Sequence, residues 1–229
     1  MRVHWLQHAA HEGLGAIGPW LRERGARVQG TCLHEGEPLP RADDFDWLVV
    51  MGGPMNIYEH ERYPWLVPEK QLINDACVMN KKVLGICLGA QLLADTLGGR
   101  TTTAAEPEIG WFDVNLTAEG ARSELFQGFP GNFPVFHWHS DTFALPPGSP
   151  ALLRSAVCAN QAFAAHGGRA VGLQFHLEVQ QAELADWLRE DTPQPRRHVQ
   201  TAQEMLREPA RFENAARLLR TLLSRMAAL

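Results

Sequence analysis

Apolar positions along the chain follow two alternating rhythms. "RVHWL" (2–6), "RVQGTCL" (27–33), "FDWLVVMGGP" (45–54), "KKVLGI" (81–86) and "AVGLQF" (170–175) are short, β-rich apolar runs bounded by glycine, proline or charge, and they predict strands, most of them buried. Between the early strands lie stretches with helical spacing. "GAIGPWLRERGA" (15–26) carries Ile17, Trp20 and Leu21, and "WLVPEKQLINDACVMN" (65–80) carries Leu66, Leu72, Ile73, Ala76 and Met79. "LGAQLLADTLGG" (88–99) ends on the glycines that close a helix. The middle, about 101–172, is richer in β signal, with turns at "FPGNFP" and "LPPGSP". Helical rhythm returns in "QAELADWLRE", breaks at "DTPQP", and resumes in "ARFENAARLLRTLLSRM", where Phe212, Leu219, Leu222 and Met226 lie on one stripe.

This alternation predicts an α/β fold: an open, mostly parallel, flavodoxin-like sheet with helices on both faces, and a C-terminal helical extension. Residues 1–180 would form the sheet domain and 181–229 the extension, packed on the same domain. In such sheets the ligand binds beyond the carboxyl ends of the strands.

Composition narrows the function. Apolar residues at 45% and charged residues at 21% are ordinary for a globular protein. No apolar run approaches the roughly 20 residues that span a bilayer. His4, His8 and His11 interrupt the N-terminus, so no secretion signal is read there and a cytoplasmic location without membrane contact is expected. Cys32, Cys77, Cys87 and Cys158 are widely spaced and lack C-x-x-C pairing, which argues against a disulfide framework or a zinc site. A net charge of −5 argues against nucleic acid as a partner, and the arginines after residue 189 read as the solvated face of a helix.

Three strand ends carry candidate chemistry. "GICLG" places Cys87 between Gly85 and Gly89 in the G-x-nucleophile-x-G form of a sharp strand-to-helix turn. The helix N-terminus there favours a thiolate. "LQFHLE" places His176 and Glu178 two residues apart on a strand end, so Glu178 can orient the imidazole while its other nitrogen faces the thiol. "VVMGGP" lets the backbone approach a ligand closely at Gly52 and Gly53. The Gly53 and Leu88 N–H groups are then candidates for an oxyanion hole. Gln91, one helical turn after Cys87, is a candidate substrate contact or a surface glutamine.

Together these pieces resemble the class I, or triad, glutamine amidotransferases over about residues 44–180, most closely stand-alone proteins like the glutaminase domain of GMP synthase. "VVMGGP" resembles the family's oxyanion segment, "GICLGAQ" its nucleophile elbow and "FHLE" its His–Glu pair; "WHSDTF" (138–143) is similar to a glutamine-holding segment. The resemblance implies a catalytic triad of Cys87, His176 and Glu178 and an oxyanion hole at Gly53 and Leu88. It implies substrate contacts at Gly52, Gln91, His139, Ser140 and Asp141. The implied reaction is hydrolysis of the glutamine side-chain amide through a γ-glutamyl thioester, with no metal or cofactor. "FHWH" (136–139) then reads as structural or substrate-lining.

Two departures stand out. Leu177 occupies the place where synthase-linked members usually carry proline, and only helices follow residue 180, with no ATP-using synthase segment. The ammonia acceptor is therefore expected on a separate synthase subunit, or the reaction has none. The rival readings are a γ-glutamyl hydrolase or peptidase acting on conjugates and a non-catalytic ligand-binding module. A third is a relative of the chaperone and protease-like elbow proteins, whose cysteine is usually followed by histidine rather than the Leu88 seen here.

Overall fold

A computed structural model describes all 229 residues. In chain order the elements are β1 (Arg2–Gln7), α1 (Ile17–Glu23), β2 (Arg27–Cys32), β3 (Trp47–Val50), α2 (Leu66–Val78), β4 (Lys82–Ile86), α3 (Leu88–Thr96) and β5 (Arg100–Leu116). There follow α4 (Ala118–Arg122), β6 (Asn132–Ala144), β7 (Ala151–Arg154), β8 (Ala162–Ala165), β9 (Ala170–Leu173), α5 (Gln181–Glu190), α6 (Ala202–Leu206) and α7 (Pro209–Ala228). All nine strands join one sheet in the order β2-β1-β3-β4-β9-β8-β7-β5-β6. The half from β2 to β9 is parallel, as buried runs joined by helical crossovers require. The other half, β8, β7, β5 and β6, is antiparallel and accounts for the β-rich middle of the sequence.

Register brings the strand ends together. Val50 of β3 pairs with Gly85 of β4, and Ile86 of β4 with Leu173 of β9. The segments leaving these strands, Gly52-Gly53, Cys87 and Gln174–Glu178, therefore emerge at one level. The β5–β6 hairpin then leans over them: Phe136 and His176 exchange both backbone hydrogen bonds, at 2.7 and 3.3 Å.

Each sheet face buries its own apolar layer. α2 and α3 cover one face, with Leu72, Ile73, Leu92 and Leu93 in that layer. α1, α5 and α7 contribute to the other, where Ile17, Leu184, Leu219 and Leu222 share one cluster with sheet residues Val135 and Val171. Trp111 of β5 meets Phe212 of α7 edge to face at 5.0 Å. No helix is long and apolar enough to cross a membrane. The short helices α4 and α6 have no periodicity to predict them and rest on local caps instead. Thr117 accepts from the Gly120 N–H, and Thr201 forms a capping box with Glu204.

Candidate active site

Cys87 sits between the end of β4 and the start of α3 with φ 51° and ψ −107°, a region that non-glycine residues rarely occupy. The flanking glycines explain how the turn is tolerated. A Cβ on Gly85 would strike the carbonyl of Gly89, and one on Gly89 would strike the carbonyl of Val50. Backbone therefore packs directly on backbone, and the thiol is pushed above the sheet.

His176 lines the same cavity as Cys87, whose Sγ lies 3.6 Å from the Trp138 carbonyl, and its Nδ1 lies 2.6 Å from Oε1 of Glu178. Burial pulls the imidazole pKa down, but the charge and hydrogen bond of Glu178, with Cys87 close by, outweigh it and hold the ring well above its ordinary value. Trp187 of α5 packs edge-on against His176 at 5.1 Å and fixes the ring from its other side. β9 ends at Leu173, so His176 and Glu178 lie on a bent segment and not on the extended strand end expected; Leu177 between them is fully buried, and core packing holds the bend.

The Gly53 N–H points to no acceptor in the protein, and Leu88 opens α3, where helix N–H groups lack intrahelical partners. The loop carrying Gly53 is anchored from below. His8 Nδ1–H donates to the Gly52 carbonyl at 3.0 Å, and its Nε2–H donates to buried Glu69 at 2.8 Å. Burial opposes a charge on His8, yet its pKa is raised, chiefly by Glu69. This buried pair is a positioning device that sequence reading missed, because its members come from the end of β1 and from α2.

Gln91 is buried and not a surface residue. It donates to Gln174, and the Gln174 amide approaches Cys87 Sγ at 3.7 Å. In β6, His139 Nδ1–H donates to the Asp141 carbonyl at 3.0 Å, Ser140 is exposed, and the Asp141 carboxylate accepts from Asn56 at 2.7 Å. Beneath them, Glu108, His137 and His139 bring possible metal-donor atoms within 4.8 Å of one another. Glu108 Oε2 already accepts from Ser155 at 2.9 Å and Gln161 at 2.6 Å, so its carboxylate is engaged by the protein's own donors. Fully buried, His137 has its pKa lowered to about 3, which keeps the ring neutral.

The strand ends open on one cavity of about 650 Å³, with Glu178, His8, Glu69, Gln174, Glu108 and His137 set behind its wall. It is lined by Gly53, Cys87, Leu88, Gln91, His139 and His176, and by residues the motifs did not reveal, among them Glu12, Asn56 and Trp187. Gly52 lies just behind, where a Cβ would collide with the Glu12 carboxylate.

A strained, glycine-flanked cysteine and a His–Glu pair at the carboxyl ends of parallel strands define an α/β protein with a candidate nucleophile elbow. Comparison with known proteins makes this specific: residues 20–191 match the family model for glutamine amidotransferase class-I, and the chain belongs to that family. It is 37% identical over 182 residues to the glutamine amidotransferase-like protein YfeJ of Salmonella typhimurium, covering 78% of this chain and 76% of that protein. It is 40% identical to a GMP synthase of Thermomicrobium roseum, but that match spans only 24% of the synthase. Among solved structures, a glutamine amidotransferase from Thermotoga maritima matches with TM-score 0.88 and 33% identity, covering 100% of this chain and 99% of that one. One from Methylobacillus flagellatus matches with TM-score 0.91 and 30% identity, covering 99% and 94%.

Proposed function

We propose that the chain is a cysteine-dependent hydrolase of γ-glutamyl amides, of which glutamine is the smallest. The observation that carries this reading is the strained Cys87 held against a His176–Glu178 pair inside a cavity sized for a small molecule. Cys87 Sγ attacks the γ-carbonyl carbon, and the oxygen takes its charge against the Gly53 and Leu88 N–H groups. One such donor contributes roughly 3–4 kcal/mol in the transition state. Protonated His176 gives its proton to the departing nitrogen, leaving a γ-glutamyl thioester. His176 then takes a proton from water, which attacks the thioester and releases glutamate. Gln91, His139, Ser140 and Asp141 hold the glutamyl half.

Incubation with a γ-glutamyl electrophile built on glutamine tests the assignment. Mass spectrometry is expected to find one adduct, on Cys87, and Cys87→Ala to abolish both labelling and turnover. Labelling at another cysteine, or turnover by the Cys87→Ala variant, would overturn it.

A second reading passes the ammonia to a synthase on a separate chain. It is supported by similarity to a glutamine-hydrolyzing GMP synthase subunit of Saccharolobus solfataricus, 32% identical over 69% of this chain and 80% of that one. Glutamine hydrolysis that rises sharply only when a synthase chain is added would favour it.

A further inference from the structure

The amine half of the substrate has to leave along the His176 wall, because its nitrogen takes a proton from that ring and must lie within hydrogen-bond reach of it. That wall is built from elements outside the motifs: the segment after β1, with His11 and Glu12, and the end of α5, with Trp187, Glu190 and Asp191. The Trp187 indole N–H donates to the His11 carbonyl at 2.8 Å and ties the two together.

Around the His176 ring the charged side chains of this wall are acidic. Five carboxylates line the cavity, and no Lys or Arg does. Two of the five are engaged on the opposite side: Glu59 accepts from the Asn56 N–H at 2.8 Å, and Asp141 from its side-chain amide at 2.7 Å. The other three, Glu12, Glu190 and Asp191, have no lysine or arginine partner. Glu190 and Asp191 are exposed at the rim. Glu12 differs, being only 9% exposed and opening onto the cavity. No donor reaches its carboxylate, and the nearest imidazole nitrogen is His11 Nε2 at 4.0 Å. Its oxygens face the cavity without a hydrogen-bond donor from the protein, so they are free to accept from a bound molecule. Burial raises its pKa to about 7 even with His176 and His8 close by, so the protein's own charges do not complete the site.

We infer that the amine half of the natural substrate carries a positive charge, which Glu12, Glu190 and Asp191 read on the His176 side of the cavity. The inference rests on the γ-glutamyl amidase reading and names its substrate class: γ-glutamyl amides of amines with a second, cationic nitrogen. At about 650 Å³ the cavity has room for such a tail, whereas free glutamine would leave the acidic wall empty. The bond chemistry is unchanged. The γ-carbon to nitrogen bond breaks, His176 supplies the proton to that nitrogen, and water restores the enzyme, giving glutamate and the free diamine. A leaving group ending in a carboxylate would meet like charge and be rejected.

The test is kcat/KM for four substrates: glutamine, and the γ-glutamyl amides of a diamine, of the alkylamine of equal length, and of the amino acid of equal length. The cationic amide is expected to exceed the neutral one by about tenfold or more, with the anionic one slowest. Added salt should shrink the gap, because the rim carboxylates are exposed. Glu12→Gln, and separately the double change Glu190→Gln with Asp191→Asn, should bring the cationic substrate down toward its neutral isostere. Equal cleavage of the cationic and neutral amides, or glutamine as the best substrate of the four, would overturn the inference while leaving the amidase reading standing. No turnover of any of the four, with no labelling of Cys87 by the electrophile, would remove that reading and the inference with it.

Discussion

At the scale of single residues, the site depends on groups whose charge or conformation would be unfavourable elsewhere. The charge of Glu178, 2.6 Å away, is the largest influence holding the pKa of buried His176 up. Its raised pKa means that the imidazolium persists through neutral pH and is lost as pH rises through that value. Replacing Glu178 with Gln removes the largest influence raising it, so the alkaline limb of the kcat/KM profile should move to lower pH. Turnover should fall by roughly 10²–10⁴-fold, the usual span for a mispositioned acid–base group. A pH–rate series on both proteins reads the two effects together, and an unmoved alkaline limb would separate Glu178 from His176. Cys87, His176 and Glu178 were all legible in the sequence, because a glycine-flanked cysteine and an H-x-E at a strand end are local patterns. Glu12 and Glu69 were not. Each has meaning only through a neighbour far along the chain: Glu12 through Gly52 and His176, Glu69 through His8.

At the scale of elements, the strand-turn-helix formed by β4, Cys87 and α3 is the critical unit, and its tolerance is set by backbone contacts. A Cβ on Gly89 would fall against the Val50 carbonyl of β3, with no flexible side chain to move aside. Gly89→Ala should therefore push α3 away from β3 and lift Cys87 out of register. The expected cost is about 1–3 kcal/mol or more in chemical denaturation, together with loss of Cys87 labelling. Labelling at the wild-type rate would show that the turn relaxes freely. The same elements show how far periodicity carries. The sequence implied helices near those of α2, α3, α5 and α7, because each has an apolar stripe several turns long. It missed α4 and α6, because five residues are too few to show a period and threonine caps define them instead. It also could not give the length of β5 and β6, whose pairing shifts between Thr103 and Glu108. A register change of this kind leaves no mark in an apolar pattern.

At the scale of the whole molecule, the extension after residue 180, expected to pack on the same domain, shares its core through α7. Leu219 and Leu222 of α7 are as fully buried as Val171 of β9 and share its cluster. We propose that residues 1–229 unfold as one unit. Leu222→Ala should then cost about 2–5 kcal/mol and shift a single transition, seen at the same denaturant concentration by circular dichroism and by tryptophan fluorescence. Two separated transitions would show an independent extension. Sheet order was the least legible property, since β9, the last strand made, enters between β4 and β8. That insertion has a consequence for the birth of the enzyme. On a ribosome the first four strands emerge early, yet the edge of β4 has no neighbour until Ala170–Leu173 arrives. The thiol of a nascent chain therefore waits without its base while most of the polypeptide is still being made. The closing of one strand into the gap completes the sheet and, under the mechanism proposed above, brings the base to the cysteine in the same event.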